Sequence, residues 1–285
     1  MTGGSGFVGR NLVQKLSLMH EVAILARSNF GCGSERVFVQ DIGENFSAEL
    51  VNFDPEVIYH LAWSDIPDFS SEACLKNIGS QILFFDQLTK FNSLRTVIVS
   101  GTCKEYPDFT GKCAEEYLGP GAGSKLGWAK RSLFEYLMTS DMARGYRLVW
   151  ARLFYVFGPG QRSGSLLQTV AEDLKMGKLT ALKNPVARND FVFIADAVKA
   201  LVLLMNSSGG IYNVGSGVLT SNYDLLRTAA KIIKFPLGLL ELDSNDLGRA
   251  TVENYADISK LSREFDWRAE TSLHEGIKLT LECHE

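Results

Sequence analysis

No apolar run in this 285-residue chain is long enough to cross a bilayer, and its N-terminus lacks a signal-peptide pattern, so neither a membrane span nor secretion is expected. Cysteines are few: Cys32, Cys74, Cys103, Cys113 and Cys283 form an odd, scattered set without a C-x-x-C pair. That spacing argues against a disulfide framework or a zinc site, and reduced thiols in a cytoplasmic protein are the expectation. Excess positive charge is missing as well. The 29 Lys+Arg against 33 Asp+Glu give a net charge of −4, which offers no basic field for nucleic acid. No metal-binding spacing links His20, His60, His274 and His284, and there is no internal repeat, low-complexity tract or long charge run. Hydrophobic residues make up 46% and charged residues 22%, as in a globular protein with a full core.

What the chain does carry begins at once. Met1-Thr2-Gly3-Gly4-Ser5-Gly6-Phe7-Val8-Gly9 is a glycine-rich loop, followed by the amphipathic run Leu12, Val13, Leu16, Met19. Glycines at this spacing let backbone approach a pyrophosphate seated on the positive end of the next helix. Such a loop normally follows a buried strand, for which there is no room here. The expectation is that the first strand is cut away, leaving two unpaired edges in the middle of a sheet.

Short β-branched runs (Val22–Leu25, Val37–Val39, Val57–Leu61, Thr96–Ser100, Leu148–Phe154) alternate with helical patterns (Arg10–Met19, Asn77–Lys90, Trp128–Met138). This alternation predicts an α/β fold, a doubly wound Rossmann-type parallel sheet, with ligands at the carboxyl ends of its strands. After Gly158-Pro159-Gly160 the pattern is mixed. Residues 1–157, joined by 190–215, are expected to form a dinucleotide-binding domain. Residues 158–189 and 216–285 are expected to form a smaller substrate-binding lobe.

Six ordered segments resemble the extended short-chain dehydrogenase/reductase family, the NAD-dependent epimerase/dehydratase group acting on nucleotide sugars. Thr2–Gly9 resembles its T-G-x-x-G-F-x-G loop, and Tyr59-His60-Leu61-Ala62 its H-L-A-A segment. Asn77-Ile78 matches an asparagine that opens the next helix. Arg152-Leu153-Phe154 with Gly158-Pro159 resembles R-x-F-N-V-Y-G-P. Arg188-Asn189-Asp190-Phe191-Val192 resembles R-D-F-V, and Tyr212-Asn213-Val214-Gly215 resembles Y-N-V-G. The resemblance implies a cofactor site at Gly3, Gly6, Phe7, Val8, Gly9, Leu61, Ala62, Asn77 and Lys130, with Asp41 and Ile42 near the adenine. Ala26-Arg27-Ser28 stands where NAD-preferring members have a carboxylate. Arg27 suits a 2′-phosphate, so NADP is preferred over NAD.

The same resemblance places a proton-polarising hydroxyl at Thr102 and the family lysine at Lys130, both catalytic. Four residues before Lys130, where the family tyrosine exchanges the substrate proton, stands Leu126. Three readings stay open: a proton from Tyr106, Tyr117, Tyr155 or a water held by Thr102; a member that binds nucleotide or sugar without efficient turnover; or a slip of alignment across Gly119–Gly123. Dehydratase members carry Asp-Glu after the threonine, whereas Cys103-Lys104 follows here, so dehydration is disfavoured. Tyr155 replaces a substrate-binding asparagine, and Arg188 and Arg249 are the candidates for a diphosphate. Gln161 and Arg162 are candidates for the sugar cleft. A nucleotide-sugar epimerase or 4-ketoreductase is expected, with a nucleotide-sugar substrate, no nucleic-acid or membrane partner, and the family's homodimer.

Overall fold

The computed structural model describes residues 1–29, 36–108, 110–117, 119–139, 145–182, 184–236 and 253–282. In chain order the elements are α1 (Phe7–Leu16), β1 (Ala23–Ala26), β2 (Arg36–Val39), α2 (Ala48–Phe53), β3 (Val57–His60), α3 (Ser71–Asp86), β4 (Thr96–Thr102), β5 (Gly111–Cys113), α4 (Lys125–Thr139), β6 (Arg147–Leu153) and β7 (Tyr155–Phe157). Then follow α5 (Leu166–Lys175), β8 (Arg188–Phe193), α6 (Ile194–Leu204), β9 (Gly210–Val214), β10 (Leu219–Ser221), α7 (Asn222–Ile233), β11 (Asn254–Ala256), α8 (Ser259–Phe265) and α9 (Leu273–Glu282). Two compact units share them. Unit 1 is Met1–Pro107, Glu115–Leu153 and Val198–Tyr212; unit 2 is Asp108–Ala114, Phe154–Ala197 and Asn213–Glu285.

Unit 1 holds the sheet on which the expected site depends. β1 pairs parallel with β2, β3 with β4, and β4 with β6 over Thr96↔Arg147 to Thr102↔Leu153; β9 lies beyond β6. A parallel sheet is covered on both faces, which is why Thr96–Gly101 is buried without alternation. Phe84 and Phe85 on α3, Leu133 on α4 and Trp150 on β6 pack in the hydrophobic core.

The expected gap between β1 and β3 is narrower than the sequence implied. Thr2 bridges both strands in parallel, opposite Leu25 and His60. Leu25 N donates to Met1 O (2.8 Å), Thr2 N to Tyr59 O (2.9 Å) and Leu61 N to Thr2 O (3.2 Å). The two edges are therefore joined where they meet the glycine loop, because one ladder position suffices to hold the loop in the sheet. Behind it is an apolar cavity of about 30 Å³ lined by Met1, Ala23, Phe38, Phe53, Ile58 and Phe91, among others.

Unit 2 contains the three-stranded sheet β10-β8-β7 and the pair β11-β5. Its fixed point is Asp190, buried on β8. The carboxylate accepts from Ser216 N (2.6 Å), Ser216 Oγ (2.6 Å), Gly217 N (2.9 Å) and Ala256 N (3.0 Å). Burial pushes its pKa up while those donors pull it down.

Candidate functional site

The glycine loop is a backbone device. Gly3 has φ +70°, and a Cβ there would stand 2.7 Å from Ala62 N and from Leu61 C, so the loop lies directly against the residues that leave β3. A Cβ on Gly9 would collide with Gly3 O. α1 starts at Phe7 behind an N-cap glycine, Gly6, with no side-chain cap and no acidic residue in its first turn. The amides of Phe7, Val8 and Gly9 and the positive end of the helix are thus left for an anion. Such a cradle fits the diphosphate of a nicotinamide dinucleotide.

The loop leaving β3 is held from two sides. His60 is fully buried; its Nδ1 lies 3.0 Å from Thr2 Oγ1 and its Nε2 3.2 Å from Gln81 Oε1. Burial pushes its pKa down to about 3, with the Lys130 charge adding to the shift, so it is a neutral packing imidazole. Asn77 Oδ1 accepts from Ser64 N (2.8 Å), while its Nδ2 donates to Ala73 O (2.8 Å) and Ser64 O (3.3 Å). Asn77 does not open the helix, as the motif implied. α3 starts at Ser71, capped by the Ser70 hydroxyl, so Asn77 projects from the second turn and pins the loop.

Arg27 and Ser28 lie exposed just past the carboxyl end of β1. Asp41 follows β2, where its Oδ1 accepts from Gly43 N (2.9 Å) and closes the turn; Ile42 packs on the core.

At the carboxyl end of β4 the chain makes a tight 3₁₀ turn, Cys103–Glu105. Thr102 Oγ1 accepts from Lys104 N (3.3 Å), and Glu105 Oε1 accepts from Thr102 N (2.7 Å), a reciprocal capping box. Glu105 is wholly buried. Its carboxylate also takes the Trp150 indole N–H (3.0 Å) and Arg152 Nε (2.8 Å), and Arg152 Nη1 donates to Glu115 O (3.0 Å). The Arg152 guanidinium lies over the Tyr106 ring at 4.6 Å. Thr102 is therefore oriented by a buried ion pair beneath it.

Lys130 comes from the other side, off α4. Its Nζ donates to Ser100 O (2.7 Å), stands 3.5 Å from Ser100 Oγ, and lies 4.5 Å from the centre of the Trp63 ring. Ser100 and Thr102 are two residues apart on β4 and so share one face of the strand. The side chain is almost fully buried, and burial pushes its pKa down to about 8, against the upward pull of the Glu105 carboxylate. Leu126, one turn earlier on the same helix, is partly buried and carries no proton.

Together, unit 1 brings Gly3, Gly6, Phe7, Val8, Gly9, Leu61, Ala62, Asn77, Thr102 and Lys130 to the carboxyl ends of its central strands. Tyr155 and Arg188 belong to unit 2: Tyr155 packs on Phe191 (5.7 Å between ring centres), and Arg188 Nη1 lies 3.5 Å from Glu253 Oε2. Arg249 lies outside the described residues. Three residues escape the sequence reading. Glu105 has a legible signal, the Thr-x-x-Glu spacing of a capping box; Trp63 has a weaker one, an aromatic where the family segment has alanine. Gln168 has none, and its buried Nε2 has no hydrogen-bond partner among the described residues, as with Gln161 Oε1, Ser165 Oγ and Thr180 Oγ1 in the same unit. Among the described residues no group of His, Cys, Asp or Glu could hold a metal ion, and no helix is long and apolar enough to cross a membrane.

Known proteins match almost the whole chain. UDP-glucuronic acid decarboxylase 6 of Arabidopsis thaliana is 26% identical over 301 residues, covering 98% of this chain and 86% of that protein. A putative UDP-glucose 4-epimerase of Methanocaldococcus jannaschii is 25% identical, covering 98% and 95%. The fold matches the crystal structure of UDP-N-acetylglucosamine 4-epimerase from Bacillus cereus with a TM-score of 0.84 at 20% identity, over 100% of this chain and 98% of that one. Residues 1–215, three quarters of the chain, match the family model. The glycine cradle, the strand-end threonine and the buried lysine are thus those of a chain that belongs to the NAD dependent epimerase/dehydratase family.

Proposed function

We propose that this chain is a nucleotide-sugar epimerase or 4-ketoreductase that works by reversible hydride transfer with a nicotinamide dinucleotide. One observation carries the proposal: an unbroken line of contacts in unit 1. It runs from the Gly3 backbone to Leu61 and Ala62, on through Trp63 to Lys130, and ends at Ser100, two residues from Thr102. The amides of Phe7–Gly9 would hold the diphosphate, and Lys130 would hold the nicotinamide ribose. The dinucleotide, when bound, supplies the hydride acceptor and donor. Thr102, fixed by Glu105, would hydrogen-bond the sugar oxygen whose carbon is oxidised.

Arg27 favours NADP over NAD, since Ala26 stands in place of the usual carboxylate after β1 and an exposed guanidinium follows it. Within unit 2, Arg188, Tyr155 and the polar atoms of Ser165 and Gln168 that have no hydrogen-bond partner among the described residues are the candidates for the nucleotide sugar. Cys103-Lys104 in place of an Asp-Glu pair immediately after Thr102 disfavours water elimination. Apolar side chains left exposed on α3 and α4 (Leu75, Leu83, Trp128) support a homodimer through these helices, and a cytoplasmic site of action is expected.

Leu126 favours a second reading, a protein that binds the same ligands without efficient turnover. Chromatography of the sugar products formed from UDP-glucose or UDP-glucuronic acid with NAD or NADP, and NADPH oxidation at 340 nm with a 4-keto nucleotide sugar, beside dinucleotide binding, separate the two. Turnover is expected; binding alone would select the second reading, and no binding would end both.

A further inference from the structure

Resting on the hydride-transfer reading above, we infer that Lys130 is itself the group that takes up and returns the substrate hydroxyl proton, with the Trp63 ring and Ser100 carbonyl holding its amine at the strand end. Three other titratable groups at this end of unit 1 are committed elsewhere. Glu105 accepts from three donors, Thr102 N, the Trp150 indole N–H and Arg152 Nε, and is paired with Arg152. Tyr106 is wholly buried beneath the Arg152 guanidinium, and His60 is locked between Thr2 and Gln81. Leu126 supplies nothing at the position one helical turn before Lys130. The amine, in contrast, has no carboxylate within ion-pair distance among the described residues. It contacts a carbonyl, a hydroxyl and an aromatic face, a set that stabilises an ammonium without neutralising it.

The charged and titratable groups around it come from four elements. Glu105 approaches from the 3₁₀ turn after β4, with Arg152 on β6 behind it. The neutral His60 ends β3. Lys104, on the same turn as Glu105, is exposed, as is Lys125 on α4 itself, while Arg131 turns outward to Glu135. Burial outweighs the field of Glu105, so the amine titrates near about 8 instead of the usual 10.5, and both of its forms are populated at neutral pH. In the oxidative direction the neutral Lys130 Nζ accepts the hydroxyl proton and becomes an ammonium. The carbinol C–H electron pair leaves as hydride to the oxidised nicotinamide, and the carbonyl forms. The reverse direction returns proton and hydride together.

The test has two readings. In the protein without ligand, Trp63 emission (wild type minus Trp63→Phe) should change with pH around a midpoint near 8, and Lys130→Met should abolish the change. A midpoint near that of a free lysine, or a transition indifferent to Lys130→Met, overturns the inference. With dinucleotide and UDP-sugar, Lys130→Arg keeps the positive charge but cannot release a proton near neutrality. Turnover at saturating dinucleotide should fall about 10²- to 10⁴-fold; because Lys130 is also the proposed ribose contact, dinucleotide affinity is read beside it by fluorescence quenching, and turnover must fall well beyond any loss of affinity. Lys130→Arg with undiminished turnover would remove the proton role and leave the hydride-transfer proposal standing. A wild-type protein that binds dinucleotide and turns over no sugar would remove both.

Discussion

Lys130 and Glu105 sit at the same end of β4, both withdrawn from solvent, yet among the described residues only Glu105 has a counter-ion. Glu105 is locked by Arg152, Trp150 and a backbone amide, and its contribution is shape: it decides where Thr102 points. Lys130 is held by a carbonyl and a ring, which leave its proton free to move. The contrast teaches how to separate scaffold from chemistry among buried charges, since a paired charge is inert and an unpaired one is poised.

The largest expected effect comes from breaking the paired side. Glu105→Gln removes the charge opposite Arg152 and presents an amide to donors already aimed at an acceptor. An uncompensated buried guanidinium should cost about 3–5 kcal/mol in urea unfolding. A loss below about 1 kcal/mol, the usual range for exposed pairs, would show that Arg152 reaches solvent and that the two charges are not the contrasting pair described.

Next in size is the unpaired side, where the sign reverses. The folded pKa of Lys130 lies near about 8 and the unfolded one at 10.5. Between those values the unfolded chain binds the extra proton, so stability rises with pH through that window. Below it, the buried ammonium weighs on the fold. Wild type should therefore gain roughly 3 kcal/mol relative to Lys130→Met between pH 8 and 10.5, since each pH unit across the window contributes about 1.4 kcal/mol. Denaturant unfolding of both proteins at pH 7.5, 9 and 10 checks this; parallel stability curves would mean the amine is solvated.

These two residues also mark what can be read from the sequence. Lys130 is visible through its segment, Gly127-Trp128-Ala129-Lys130, and the cradle through Gly3, Gly6 and Gly9, because backbone close approach admits only glycine and so leaves a spacing. The strands come through for the same kind of reason: a doubly covered parallel sheet forces continuous apolar runs such as Thr96–Ser100. Arg152 shows only as a motif letter. Its partner Glu105 is marked as a capping residue by the Thr-x-x-Glu spacing, but its pairing with Arg152 is not marked, since pairing between residues 47 apart is a property of the folded sheet. The motif places the start of the helix containing Asn77 six residues late, because Ser70, a strong N-cap, lies outside the family segment. β8 and β10, short and partly exposed, have no periodicity that separates them from loop.

The smallest effect sharpens the comparison from outside. Arg131 is the next residue on α4, and its Nε meets Glu135 Oε1 at 3.0 Å, one turn on, in an ion pair whose carboxylate side chain is 57% exposed. Here a cation has both a counter-ion and water, the third possibility beside buried-paired and buried-unpaired. Water already stabilises each charge, and holding two long side chains together costs rotamer entropy. Glu135→Gln should therefore lower stability by only about 0.3–0.5 kcal/mol, an effect that fades as added salt screens the pair. Urea midpoints at low and high salt read it directly. A loss as large as that of Glu105→Gln would mean that ion pairing as such, independent of burial, stabilises this helix, and the distinction between Glu105 and Lys130 would then rest on pairing alone. A loss within the expected range leaves burial as the variable: one residue apart on one helix, Arg131 stands in a partly solvated ion pair while Lys130 is a buried group whose protonation the fold controls.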